Sequence, residues 1–202
     1  MNVRSWLAAV LVAGGASSLA CGGNQSASQD ESAGGTPPAA SVGNEDPAGS
    51  SEERLSDAQI ASVVNAAHTG EIAQANAALP KLTNAEAMQF ATMMVEMHTA
   101  AQQRQAAMVQ EKGLTAQAHP LATELAQESD EMVEELSTAD RDEIDQLYME
   151  KQVEMHEKVL ETIDEKLIPS ATDPALQQEL QTARTEVASH LQRAQEIVSK
   201  LE

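Results

Sequence analysis

The chain has 202 residues, 12 of them basic and 32 acidic, for a formal charge of −20. Such a surface repels phosphate backbones and anionic headgroups, which sets nucleic acid aside as a partner. Aromatic residues are nearly absent, with Trp6, Phe90 and Tyr148 the whole set, so an all-β fold lacks its usual material and a core of Ala, Leu, Val, Ile and Met suits packed helices.

Met1 to Arg4 carries positive charge, and Trp6 to Ala16 is an apolar run too short to span a bilayer permanently. Ser17-Ser18-Leu19-Ala20-Cys21 follows, and Cys21 is the single cysteine, so no intrachain disulfide forms. A lone Cys after small residues at the end of such a segment resembles the lipobox of bacterial lipoproteins. That resemblance implies a signal peptide over residues 1–20, lipidation of Cys21, and attachment to a membrane through the N-terminal lipid. The usual lipobox has Leu three places before the Cys, where this chain has Ser18. Ser18-Leu19-Ala20 also fits ordinary signal-peptidase cleavage. The expected location is the cell envelope, facing the periplasm. Gly22 after the Cys favours the outer membrane by analogy with Gram-negative sorting. Cleavage removes only Arg4 among the charged residues, taking −20 to −21.

Residues 22–53 are mostly Gly, Ser, Ala, Pro, Asn and acids, without Leu, Ile, Met or aromatics. They cannot bury enough apolar surface to fold. Residues 21–53 therefore read as a lipidated Cys and a disordered acidic tether, reaching on the order of 30 Å. The folded domain is expected over residues 54–202.

Ser56-Asp57-Ala58-Gln59 is a capping box that opens helix one, whose stripe runs from Ile60 through Glu71 to Leu79 before Pro80. Thr83 with Glu86 suggests a second box. Helix two then runs through Phe90, Met94, His98 and Met108 to Lys112 and stops at Gly113. Leu114 to Pro120 reads as loop, with His119 an exposed connector, and a short helix is expected from about Leu121 to Leu136. Helix four is expected from about Ala139 to Ile168, through Ile144, Tyr148, Gln152, Met155 and Val159, with Pro169 closing it. Asp173-Pro174 is an N-cap with Pro at the first helical position, and helix five runs to the C-terminus through Leu180, Val187 and His190.

Leu79-Pro80 followed by Thr83-Asn84 mirrors Ile168-Pro169 followed by Thr172-Asp173 at an offset of 89 residues. Under that offset His156 falls beside His68, and His190 falls one turn from His98. Val-Glu-Met-His itself occurs twice, at Val95 to His98 and Val153 to His156. The expectation is all-α: two helical hairpins joined by a crossover with a short helix, which is the ferritin-like four-helix bundle.

Gly70-Glu71, Met94 to Thr99, Leu136-Ser137 followed by Asp145-x-x-Tyr148, Val153 to Lys158 and Ser189-His190-Leu191 follow one another in order. In that order and spacing the chain resembles the domain of unknown function 4142 family over roughly residues 54–198. The resemblance implies a ferritin-like bundle of the bacterial envelope, often behind a signal peptide, with no settled activity. Met97 stands where that family commonly has an acid, and Ile144 where it commonly has Phe.

Glu71, His98, His156 and His190 each lie in the apolar stripe of a different long helix, near its middle. His68, one turn before Glu71, and Glu186, on the face of His190, are additional candidates. Carboxylate and imidazole groups from facing helices are what a bundle-core metal site uses. The di-iron pattern of Glu-x-x-His is missing from helices two and four, because Val95 and Val153 stand three places before His98 and His156. Glu96 and Glu154 are turned away from the interior. Met94, Met97 and His98 also form a soft-ligand set suited to Cu(I), against the alternative of Met as core filler. No Gly-x-Ser-x-Gly, His-Glu-x-x-His or Cys-x-x-Cys occurs, and no catalytic residues are assigned. The leading expectation is a non-enzymatic binding or envelope-associated role without a cofactor, the buried polar groups pairing to set helix register. The alternative is a transition-metal-binding bundle, redox-active in one version. The acidic surface suits a basic protein partner, and a homo-oligomer is the other partner expectation.

Overall fold

Ser56 opens the first helix in the computed structural model, which describes residues 54–201. The signal peptide, Cys21 and the tether to residue 53 lie outside the described residues. Ser56 N–H donates to Gln59 Oε1 at 2.8 Å, and Gln59 N–H donates to Ser56 Oγ at 3.3 Å, so the expected capping box forms. Helix α1 spans Asp57–Ala78, α2 Ala85–Glu111, α3 Pro120–Thr138 and α4 Ile144–Thr162. A π-helical segment, Ile163–Leu167, and a last turn, α5 at Ile168–Ser170, extend α4; α6 spans Pro174–Leu201. Among the described residues there is no strand, and no helix is long and apolar enough to cross a membrane.

Four local expectations change. The second capping box does not form: the α2 N-cap is Asn84, whose Oδ1 accepts from the Glu86 and Ala87 amides, while Thr83 turns to another helix. His119 is a cap rather than a bare connector, its Nδ1 accepting the Leu121 N–H at 3.2 Å. Helix α4 begins at Ile144, not near Ala139, because the Asp140 carbonyl closes a turn by accepting the Glu143 and Ile144 amides. Its regular part also ends early. Pro169 lacks the N–H that would serve the fourth residue before it, and its ring crowds that carbonyl. The helix widens into π hydrogen bonding just ahead, with Ile168 N–H donating to the Ile163 carbonyl.

Two glycines have specific backbone roles. Gly113 follows the α2 C-cap with φ +63°, a conformation that favours glycine at a helix end. Gly70 sits inside α1, where a Cβ would lie 2.8 Å from Ser129 Oγ. Its missing side chain is what lets α3 lie along α1, so α3 covers a helix face as well as crossing over.

The hairpins α1–α2 and α4–α6 lock each other at their corners. Asp145 at the start of α4 accepts from Thr83 N–H at 2.9 Å, from Asn84 N–H at 2.9 Å and from the Thr83 hydroxyl at 2.5 Å. Asp57 at the start of α1 accepts from Thr172 N–H, Asp173 N–H and the Thr172 hydroxyl at 2.7–3.0 Å. The 89-residue repeat is thus a pair of reciprocal clasps. We predict that Asp57→Ala and Asp145→Ala each lower stability by about 1–3 kcal/mol, read as matched drops in urea midpoint. An unchanged midpoint in either variant would mean that water replaces the clasp at no cost.

The core has two apolar clusters with a polar layer between them. One holds Ala75, Ala78, Phe90, Met94, Ile144, Tyr148 and Ile197, and the other Ile60, Val63, Ile163, Leu167, Leu176, Leu180 and Val187. Along each long helix the buried polar residues fall between or beside these sets: Glu71 and Gln74 on α1, His98 on α2, Gln152 and His156 on α4, His190 on α6. Helical spacing keeps them on the inward face, so the chain buries them deliberately alongside its apolar neighbours.

Candidate metal centre

His98, His156 and His190 come from three different helices, and one ring nitrogen of each lies within 4.8 Å of the others. All three are buried, exposed by 7%, 1% and 4%. Ring centroids of His98 and His190 are 5.7 Å apart, and those of His156 and His190 5.5 Å.

Each ring has one nitrogen occupied and the other without a hydrogen-bond partner. His156 Nδ1 sits 2.7 Å from the Gln152 carbonyl, which fixes the proton there, and its buried Nε2 has no partner. His98 Nδ1 is 3.0 Å from His68 Nδ1, and its Nε2 is unpartnered. His190 Nε2 is 3.4 Å from Met97 Sδ, and its Nδ1 is unpartnered. A neutral imidazole with one N–H engaged presents a lone pair at the other nitrogen. Outer groups that hold one nitrogen and free the other are how proteins orient ligating histidines.

Glu71 stands behind His156, its Oε1 3.7 Å from His156 Nε2, which is too long for a hydrogen bond. Its Oε2 is buried and unpartnered. Around it lie further buried polar groups. Gln152 donates to Gln74 Oε1 at 3.1 Å, and Gln74 donates to Ser129 Oγ at 3.2 Å. The Tyr148 hydroxyl and Gln152 Oε1 are without partners. Native interiors hold few such orphans, and several in one place call for an explanation such as a bound ion or water.

Burial sets the charge state of this layer. It raises the Glu71 carboxyl to about 8, partly offset by the Gln152 amide, so the acid is protonated at neutral pH. Burial lowers His156 to about 4, opposed by the Gln152 carbonyl, and lowers His190 to about 4 with help from His156. His98 is depressed furthest, by burial and then by His68, His190 and His156. His68 falls to about 4 through burial and the nearby Arg104 charge. Tyr148 is raised well above its ordinary value by burial and then by Glu71. Without an ion the layer is therefore neutral throughout, and its imidazoles are deprotonated as metal ligation requires.

A cavity of about 40 Å³ opens beside His68, Glu71 and His98, closed by Val63, Ile163 and Leu167. That is room for a water-sized body. A tetrahedral site with metal–nitrogen bonds of about 2.0–2.1 Å spaces its nitrogens by about 3.3 Å, closer than the 4.8 Å within which these ring nitrogens lie, so the rings would have to draw together to share an ion.

Of the residues singled out in the sequence, His98, His156 and His190 converge, Glu71 adjoins them, and His68 supports His98 from outside. Glu186 does not join them: it lies at the surface, 3.6 Å from Arg104. Glu96 and Glu154 are exposed as expected. Met94 stays in the apolar core, fully buried, whereas Met97 reaches His190. Gln74 and Ser129 went unnoticed in the sequence, and Gln152 and Tyr148 counted only as stripe residues. The available signal was an amide placed one turn from Glu71 and another one turn from His156.

No curated protein and no solved structure matches the chain. The family model for the domain of unknown function (DUF4142) matches residues 43–197. That stretch contains the polar layer on all four long helices, and the chain belongs to the DUF4142 family.

Proposed function

We propose that this protein holds a transition-metal ion in the bundle core, with nitrogen ligands from His98, His156 and His190 and a carboxylate from Glu71. The observation that carries this reading is the set of buried, unpartnered nitrogens, one on each of three converging rings, each with its other nitrogen engaged. Register-setting pairs would satisfy one another, and these atoms do not. Glu71 would ligate as carboxylate, so uptake of an ion releases its proton. This is the alternative that the sequence offers to a cofactor-free binding role. The N-terminal pattern around Cys21 supports placing the domain in the cell envelope as a lipid-anchored protein facing the periplasm.

Elemental analysis of protein purified without chelator, beside the variant H98A/H156A/H190A, tests it. About one ion per chain in the parent and none in the variant is the expected result. A folded parent that carries no metal and takes up none of Zn, Fe, Mn or Cu on titration would retire the centre.

A further inference from the structure

Helices α2 and α6 leave a groove of about 500 Å³ between them, lined by Met93, Met97, Glu186, Ser189, His190 and Arg193 among others. Of the three clustered imidazoles only His190 lines it. That ring therefore belongs to both features, its Nδ1 buried without a partner and its Nε2 3.4 Å from Met97 Sδ. A d10 ion with bonds of about 2.3 Å to sulfur and 2.0–2.1 Å to nitrogen, at a tetrahedral angle, holds the two donors about 3.5 Å apart. Met97 and His190 already stand at that span. Met93, one helical turn before Met97, adds a second thioether to the same lining. Core-filling methionines look different here: Met94 and Met149 are fully buried among apolar side chains, whereas Met93 and Met97 are only partly buried.

We propose that this groove is the port through which Cu(I) reaches the imidazole cluster, with Met97 Sδ and His190 Nε2 as its first docking point. The proposal rests on the metal reading above and names the ion. Thioether and imidazole together select soft Cu(I) over Zn(II), Mn(II) or Co(II). Both donors are neutral, and a monovalent ion gives up less hydration than a divalent one on entering such a site. A neutral imidazole offers one lone pair at a time. With its proton on Nδ1, His190 binds the ion beside Met97 through Nε2. With the proton moved to Nε2, the ring presents Nδ1 to His98 and His156, and the ion passes inward. The transfer breaks the bonds from the ion to Met97 Sδ and His190 Nε2 and the Nδ1–H bond, forms the bond from the ion to Nδ1 and the Nε2–H bond, and leaves the total charge and the oxidation state unchanged.

The test compares the full chain, the variant M93L/M97L and the variant H98A/H156A/H190A. Cu(I) is presented as its complex with a coloured chelator, and Co(II) is titrated separately through its visible absorption. Leu for Met conserves volume, and thermal unfolding of M93L/M97L confirms that it folds. The expected result is that M93L/M97L takes Cu(I) from the chelator about tenfold or more slowly than the parent, a loss larger than any that its Co(II) affinity suffers from removal of the Met97 contact to His190. Cu(I) transfer at the parent rate, or a parent that binds Co(II) but not Cu(I), overturns the port and leaves the metal centre standing. A parent that binds neither ion overturns both.

Discussion

In the metal-free protein, stability is expected to peak near pH 7 and to fall steeply on the acid side. His68, His156 and His190 are held down to about 4 and His98 lower still, all by burial. Their unfolded value is 6.5. Below it the unfolded chain takes up protons that the folded chain refuses, and each such proton costs about 1.4 kcal/mol per pH unit until the folded values are reached. Glu71 has the opposite sign. Its folded value is about 8 against 4.5 unfolded, so its contribution is complete below 4.5 and is lost as pH rises toward 8. Between 4.5 and 6.5 one carboxyl proton opposes up to four imidazole protons, leaving a net slope of up to about 4 kcal/mol per pH unit. Above about pH 7 Glu71 outweighs the imidazoles, and the decline is shallow. Glu86, Asp164 and Asp173 are lowered by their Lys and Arg partners, so they add to the loss only at lower pH. Melting temperatures in chelator from pH 5 to 9 give the curve. A flat profile between pH 6.5 and 5 would mean that the rings are hydrated or already charged, and that the dry polar layer does not exist in solution.

How far such a layer could be read without coordinates depends on what kind of interaction placed each residue. Helix starts governed by local bonds were legible. Ser56 with Gln59, and Asp173 ahead of Pro174, form the caps that their spacing implies. Thr83 was misleading because its hydroxyl has a stronger acceptor in Asp145, which is 62 residues away along the chain. No local pattern carries that information. The break in α4 was half legible: Pro169 marked the end, but widening into a π turn depends on how Ile163 and Leu167 pack into their apolar cluster. Three imidazoles in three stripes announced a polar layer, because a 3.6-residue period places His98, His156 and His190 among apolar neighbours. Whether they meet or merely face the interior turns on relative helix height. The reciprocal clasps of Asp57 and Asp145 set that height, and pairing over such separations leaves no periodic trace. Glu186 failed for the same reason in reverse. It lines the same groove as His190, but it stands outside the three-ring cluster and faces Arg104.

Replacing Glu71 by Met is expected to raise the melting temperature of the metal-free protein and to abolish most of the gain that metal confers. Glu71 is 3% exposed, uncharged at neutral pH, and has one carboxyl oxygen without any partner. Removing such a buried, unsatisfied polar group in favour of an apolar one of similar length recovers its desolvation cost, about 1–3 kcal/mol. In a domain of this size that corresponds to roughly 3–10 °C. The added volume of the thioether has somewhere to go, since Glu71 borders a cavity of about 40 Å³. Metal acts in the other direction. An ion at a hundred times its dissociation constant stabilises the parent by about 2.7 kcal/mol, which is a gain of roughly 5–10 °C. Without the carboxylate that gain shrinks, because three neutral imidazoles alone leave the charge of the ion uncompensated in a dry site. The two shifts therefore have opposite signs in one pair of melting experiments, each run with metal and with chelator. A carboxyl kept for helix register predicts something else: Glu71→Met would lower the melting temperature, and metal would move neither protein. That outcome would return the polar layer to a purely structural role. A more stable but metal-indifferent variant would instead mark Glu71 as a residue retained at a cost to folding because it holds an ion.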